Sequence, residues 1–227
     1  MFDWGKFGIK NPYYADENIC VIYEDCREIM PQFSDKLFDL CLTDFPYGND
    51  TQYDGYEDTQ ENLKELITTT MPLILVKSKR ALITCGVANI QLYPKSDWIL
   101  SWINPAGTGL SCWGFCCWQP ILAYGKDPYL QNGLGRQLDI IVKNEISLKF
   151  IDHPCPKPID FWQLLMKRGS IYEGEVILDC FGGSGTTAIA ARKLNRKAVI
   201  IEISKKSCDE IVKRLAQSVM SFDFKTE

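Results

Sequence analysis

Late in the chain, Glu175-Val176-Ile177-Leu178-Asp179 reads as a strand running into Gly182-Gly183-Ser184-Gly185, and from Thr186 the pattern turns helical. A strand, a glycine turn and a helix in that order let a bound group approach the backbone, because glycine has no Cβ to hold it off. Gly183-x-Gly185-x-x-Ala188 has the Rossmann spacing, and Glu202 ends the next strand, where a carboxylate can accept hydrogen bonds from both hydroxyls of a ribose. The expectation is a site for a nucleoside-bearing cofactor. Only about 40 residues follow the turn, too few for a sheet. The remaining strands must come from the N-terminal part, which makes the expected fold circularly permuted.

Near-continuous apolar runs supply those strands: 19–23, 37–42, 80–84, 98–102, 118–124, 176–179 and 198–201. Such runs suit strands covered on both faces. Helical stretches fall between them, from Asp58 to about Val76 (opened by an Asp58/Glu61 capping pattern), Pro158 to Arg168 with Gly169 as a stop, Thr186 to Leu194, and Lys205 to about Ser218. This alternation predicts an α/β fold with a doubly wound, Rossmann-like mixed sheet, and the aromatic-rich stretch 96–124 suggests an antiparallel strand or hairpin at one edge. Residues 126–152, rich in glycine, asparagine and charge, read as a mobile loop or small insertion within a single domain spanning 1–227.

A chain that is 46% hydrophobic and 24% charged can bury an ordinary core. No apolar run approaches the roughly 20 residues of a membrane-spanning helix, and the first residues lack a basic leader and an apolar stretch. No membrane partner and a cytoplasmic location are expected. The ten cysteines then read as reduced, mostly buried thiols. Cys112, Cys116 and Cys117 form their only tight cluster, without a Cys-x-x-Cys and with one histidine in the chain, so no metal site is expected. The net charge of −4 argues against a protein that holds nucleic acid by bulk positive charge. Lys77, Lys79 and Arg80, and also Arg192, Lys193, Arg196 and Lys197, are local basic clusters; for the second the plainer reading, a solvated helix end, is preferred.

The strand 37–42 delivers Asp44-Phe45-Pro46-Tyr47-Gly48 at its carboxyl end, where ligands sit in open α/β sheets. An exocyclic base amine is a poor nucleophile because its lone pair is delocalised into the ring. Hydrogen bonds from its N–H groups to a carboxylate (Asp44) and a backbone carbonyl (Phe45, turned by Pro46) favour localising that lone pair. Tyr47 offers a face on which an extruded base can stack. The same residues also suit a plain turn, with Asp44 as a cap, Pro46 fixing the bend and Tyr47 in the core.

Read together, these segments resemble the amino-methylating DNA methyltransferases of the permuted type called beta class, in which Asp-Pro-Pro-Tyr precedes Phe-x-Gly-x-Gly. Glu24-Asp25-Cys26 resembles that family's Gly-Asp-Cys strand end. His153-Pro154-Cys155-Pro156-Lys157-Pro158 resembles its His-Pro-x-x-Lys-Pro signature, and the stretch from Trp118 to Lys126 resembles the strand ending near the target base. The resemblance implies a class I methyltransferase fold and S-adenosyl-L-methionine as cofactor, held by Asp25, Cys26, Lys157, Asp179, Phe181, Gly182, Gly183, Ser184, Gly185, Thr186 and Glu202. Asp25 would contact the adenine and Lys157 the methionine end. Asp44, Phe45, Pro46 and Tyr47 would be catalytic, on a base flipped from double-stranded DNA, as in restriction-modification systems. Phe45 departs from the family's first proline and Glu24 from its glycine.

Asp44 favours adenine N6 over cytosine N4, since cytosine-amino enzymes more often carry serine there. The related RNA adenine methyltransferases typically have tryptophan where this chain has Tyr47. A non-catalytic partner subunit is opposed by the intact Asp44, Tyr47, Lys157 and glycines; a protein-glutamine methyltransferase is opposed by motif order. Methylation at a ring carbon needs a Pro-Cys nucleophile, and Pro154-Cys155 lies inside the His-Pro signature. With only 126–152 available as a target-recognition insertion, a homodimer or an auxiliary specificity chain is expected to help grip DNA.

Overall fold

The computed structural model describes residues 3–144 and 157–220, the last three as backbone only. Nine strands form one mixed sheet: β1 Tyr14–Ala15, β2 Ile19–Tyr23, β3 Leu40–Asp44, β4 Ala81–Thr84, β5 Trp98–Ile103, β6 Trp118–Tyr124, β7 Ile140–Val142, β8 Val176–Asp179 and β9 Lys197–Glu202. Their spatial order is β1-β2-β9-β8-β3-β4-β6-β5-β7. The run from β2 to β4 is parallel, while β6 lies antiparallel to both β4 and β5. The late strands β8 and β9 are thus inserted between β2 and β3, the permuted arrangement expected from the position of the glycine turn.

Strand residues alternate between two cores. Ile19, Val21, Leu40, Leu42, Ile177, Ala198 and Ile200 face one cluster, which includes Phe161 and Trp162 of α2 (Ile159–Gly169), Ala188 of α3 (Thr186–Lys193) and Ile211 of α4 (Lys205–Met220). Cys20, Ile22, Cys41, Leu178, Val199 and Ile201 face the other, with Leu63, Ile67, Met71 and Ile74 of α1 (Gln60–Lys77). Both faces are covered, which is why the strands read as continuous apolar runs. Among the described residues no helix is long and apolar enough to cross a membrane.

Several expectations change. The capping residue of α1 is Thr59, whose side chain accepts from the Asn62 N–H, not Asp58. β3 begins at Leu40, with Phe38 making only an isolated bridge to Ser78. Gly169 is the last residue of α2 and a packing contact, because a Cβ there would lie 2.7 Å from a Leu40 methyl. The stretch 126–152, expected as a loop or insertion, is in part regular. Its described part carries a short helix, Pro128–Gln131, and β7, which joins the main sheet parallel to β5. β7 is only three residues long and exposed at two of them, too short for a clear periodic signal.

Members of both basic clusters are engaged by partners, while Lys193 stays exposed. Lys77 pairs with Asp35 at 2.8 Å, Lys79 with Asp39 at 2.7 Å and Arg80 with Glu175 at 3.3 Å. These pairs gather around the start of β4, at the end of the sheet opposite Asp44. In the second cluster Arg192 is paired with Asp16, and Arg196 is buried against Ser170.

Candidate active site

The carboxyl ends of β2, β9, β8, β3 and β4 open on one edge of the sheet, and a cavity of about 690 Å³ lies there. That is within the roughly 300–1,000 Å³ typical of small-molecule pockets. It is lined at one end by Asp44, Phe45, Pro46 and Lys157 and at the other by Asp25, Cys26, Gly183 and Glu202. The two halves of the sequence reading therefore share one cavity.

In the glycine half, Gly185 has φ 78° and Gly183 φ 49°, left-handed values that glycine adopts without strain. A Cβ on Gly182 would sit 2.4 Å from Ile200 Cγ2, so the turn lies directly against β9. Glu202 is buried, and its two oxygens accept from the backbone N–H groups of Gly183 at 2.6 Å and Ser204 at 2.8 Å. Burial raises its carboxyl above the ordinary value, while those amides pull it back. Each oxygen keeps a lone pair for a further donor. Ser184 and Thr186 are buried with their hydroxyl oxygens 3.3 Å apart, and Thr186 donates to the Lys157 carbonyl at 3.3 Å, which fixes where α2 enters the site.

Asp179 holds the halves together. Its Oδ1 accepts from Thr43 Oγ1 at 2.6 Å and from the Phe181 N–H at 3.1 Å, and its Oδ2 accepts from Thr187 Oγ1 at 2.5 Å. Burial pushes its carboxyl up to about 7 despite those donors. Asp25, for which the resemblance implied contact with a cofactor's adenine, lines the cavity with its carboxylate engaged by Arg27 through a 2.6 Å ion pair and a 2.8 Å bond from the Arg27 N–H. The Arg27 guanidinium holds that carboxyl below its usual value. Cys26 is buried beside it.

In the other half, Asp44 Oδ1 accepts from Thr84 Oγ1 at 2.5 Å and from the Tyr47 hydroxyl at 2.8 Å, and Oδ2 lies 2.5 Å from Lys157 Nζ. The Tyr47 hydroxyl also receives hydrogen bonds from Lys157 at 3.0 Å and from the Gln119 amide. Burial, then the Asp44 carboxylate, push the Tyr47 phenol well above its ordinary value. Its ring lies over Gly86, where a Cβ would come within 3.1 Å. Phe45 is buried and packs edge-on against Phe181 at 4.6 Å and Tyr93 at 5.4 Å. The residue that departs from the proline pattern therefore joins the Asp44–Tyr47 segment to the glycine turn by an aromatic contact. His153 to Pro156 lie outside the described residues; Lys157 is the described part of that signature.

Several participants escaped the sequence reading. Asp58, 2% exposed, accepts from the N–H groups of Gly48 at 2.7 Å and of Asn49 and Thr51 at 3.3 Å, pinning the loop after Tyr47. Asn89 donates to the Tyr47 carbonyl at 2.7 Å. A small hairpin, Gln52–Tyr53 with Tyr56–Glu57, covers the cavity, and Asp54 at its turn accepts from Ser204 Oγ at 2.7 Å. The Asp54-Gly55 dipeptide between two tyrosines was a readable hairpin signal. Gln119 was a lone polar residue inside an apolar strand, which marks a side chain with a partner.

Fold and site together define the class: a Rossmann-like α/β domain of the class I methyltransferase type, with the acidic strand ahead of the glycine strand. A family model described as DNA methylase matches residues 139–213. A stretch of 49 residues is 45% identical to the Type II methyltransferase M1.MboII of Moraxella bovis, covering 22% of this chain and 18% of that protein. Another, of 71 residues, is 34% identical to the Type II methyltransferase M.HpaI of Haemophilus parainfluenzae, covering 31% and 22%. The matched stretches span about a fifth of the length of these curated relatives. Among solved structures, the PvuII DNA methyltransferase (cytosine-N4-specific) superposes with a TM-score of 0.69 at 15% identity, over 90% of this chain and 89% of that one. The M1.HpyAVI–SAM complex does so with 0.62 at 19% identity, over 87% and 98%. These two likenesses are of fold. The chain resembles the N6/N4 amino-methylating DNA methyltransferases, as its motifs implied.

Proposed function

We propose that the protein is an S-adenosyl-L-methionine-dependent DNA methyltransferase acting on an exocyclic base amine, with adenine N6 as the target. The observation that carries this reading is the single cavity with Asp44 at one end and the Gly183–Glu202 turn at the other. The residues suit the cofactor: Glu202 retains acceptor capacity for ribose hydroxyls, and the glycines leave room for a nucleoside against the backbone. When bound, the cofactor supplies an electrophilic methyl group.

The chain's own residues do the rest. A base must leave the helical stack to reach Asp44. Its amine takes the place at Oδ2 that the Lys157 ammonium fills, so that one N–H donates to the carboxylate and the other to the Phe45 carbonyl. Thr84 and Tyr47 hold the carboxylate in one orientation, and the Tyr47 ring borders the base. Asp44 supports adenine over cytosine. The cytosine-N4-specific PvuII enzyme shares the fold at 15% identity, a level that carries no base preference. Residues 126–152 serve as a small target-recognition region, with a second subunit or an auxiliary chain completing the grip on DNA.

The test is incubation of isotopically labelled cofactor with mixed DNA and RNA, followed by nucleoside analysis. Label in N6-methyladenine from DNA is expected. Label in N4-methylcytosine would overturn the base assignment, label in RNA alone would overturn the DNA assignment, and label in protein alone would overturn both.

A further inference from the structure

From Trp98 to Gly125 the chain carries no charged side chain, although the protein as a whole is 24% charged. Within that run a hairpin, Gly109–Ser111 paired with Gly114–Cys116, stands clear of the sheet. A Cβ built on Gly109 or Gly114 meets nothing within 4 Å. Leu110 pairs across to Phe115, and Trp113 sits in the turn. These side chains are bare: Trp113 is 96% exposed, Phe115 81% and Leu110 79%. A contiguous apolar arm held in water marks a contact surface.

Its position says what the arm contacts. β5 runs in the same direction as β3 and β4, so its carboxyl end at Ile103 lies at the edge that carries Asp44 and Thr84, and β6 returns from there. The hairpin is the connection between β5 and β6. Its second leg leads into Gln119, whose amide donates to the Tyr47 hydroxyl. Thr108 Oγ1 ties its base to the Cys116 and Trp118 carbonyls at 3.2 and 3.3 Å.

We infer that this hairpin is a wedge that enters the DNA duplex beside the target base, with Trp113 and Phe115 stacking where the extruded base was. The inference rests on the DNA methyltransferase reading. Extrusion leaves a gap in the stack, and apolar side chains inserted between base steps offset the unstacking. The arm carries no carboxylate to be repelled by phosphate and no cation to hold the backbone, so its chemistry matches the bases. A second copy of the chain is the other candidate. Two three-residue strands are small against the roughly 1,200–2,000 Å² of a stable interface.

The test pairs a Trp113→Ala/Phe115→Ala double variant, whose truncated groups are solvent-exposed, with two measurements. First, methyl transfer is compared on native and heat-denatured DNA. The variant is expected to lose at least about tenfold on native DNA and to stay within about twofold on denatured DNA, since only native DNA presents a stack that must be opened. Second, acrylamide quenching of Trp113 is read as the difference between wild type and Trp113→Phe, with and without a short duplex. Shielding by the duplex is expected. An equal loss on both DNA forms, no loss on either, or Trp113 still fully quenchable with duplex present would overturn the wedge. So would shielding that grows with protein concentration in the absence of DNA, which would assign the arm to a second copy. If wild type methylates neither DNA form, the methyltransferase reading fails, and the quenching still decides the wedge.

Discussion

Lys157 Nζ lies 2.5 Å from Asp44 Oδ2, and both side chains are largely withdrawn from solvent, 12% and 19% exposed. Residues 113 positions apart in sequence thus form one charged pair at the Asp44 end of the cavity. Removing one member leaves the other charge with too few partners. Lys157→Met is expected to lower unfolding free energy by about 2–3 kcal/mol, somewhat less than a fully buried pair because Thr84 and Tyr47 still donate to Asp44. The Asp44→Asn/Lys157→Met double variant should recover much of that loss. Urea unfolding of the two variants beside wild type checks both statements.

Asp44→Ala should abolish methyl transfer while leaving cofactor affinity nearly unchanged, because the Gly183–Glu202 turn is built without it. Calorimetric titration of the cofactor beside a methyl-transfer assay separates the two. An unchanged rate would remove Asp44 from the proposed chemistry.

Tyr47 offers a ring and a hydroxyl, and two substitutions separate them. Tyr47→Phe deletes the bond to Asp44 and leaves the Gln119 amide without its acceptor, but keeps the stacking face. Tyr47→Ala removes both, and base–aromatic stacking is worth about 1–3 kcal/mol. If Tyr47 borders the base, the alanine variant raises KM for DNA well beyond the phenylalanine variant. Equal KM values would assign the tyrosine to orienting Asp44 alone.

Asp58 gathers three backbone N–H groups from the loop after Tyr47. Its replacement by alanine leaves those donors short of an acceptor. Hydrogen bonds to a charged group contribute about 1.5–3 kcal/mol each, and solvent can reach part of this loop, so a net loss of about 2 kcal/mol is expected. Amide hydrogen exchange at Gly48, Asn49 and Thr51 should accelerate, and that local readout separates a loop role from general destabilisation.

The Asp179 carboxyl, raised from 3.8 to about 7, gives a pH dependence of defined sign. Between those values the folded protein retains a proton that the unfolded chain has lost. This contribution is fully present below about pH 4 and falls as pH rises toward about 7, by up to about 1.4 kcal/mol per pH unit. The lowered carboxyls of Asp16, Asp25 and Asp127 act in the opposite direction. The quantity to measure is therefore the difference between wild type and Asp179→Asn in denaturant titrations from pH 4 to 8. Relative to wild type, the asparagine variant should become more stable with rising pH.

Much of this was legible because it is local. The bounds of β2, β6 and β8 follow from apolar runs, and the glycine turn declares itself by strand, spacing and helix. Short elements gave no such signal: β7 has three residues, and the cavity-covering hairpin has strands of two, recognisable only by its Asp54-Gly55 turn. Asp58 looked like a helix cap because Ser, Thr, Asp and Asn all suit that role. The neighbouring Thr59 took it, which freed the carboxylate for the loop amides.

The sequence by itself determined the order of the acidic and glycine-rich segments and, through the late position of the glycine turn, a sheet completed from the N-terminal part. Periodicity and turn chemistry act over a few residues, so they can be read along the chain. Only the tertiary structure decided that Lys157, Thr84 and Gln119 meet around Asp44 and Tyr47, that most side chains of the basic clusters are engaged by carboxylates and other oxygens, and that an uncharged aromatic arm stands at the sheet edge that carries Asp44. Those relationships depend on which strand ends lie side by side, and side-chain contacts across 40 to 113 residues are fixed by packing rather than by any local preference.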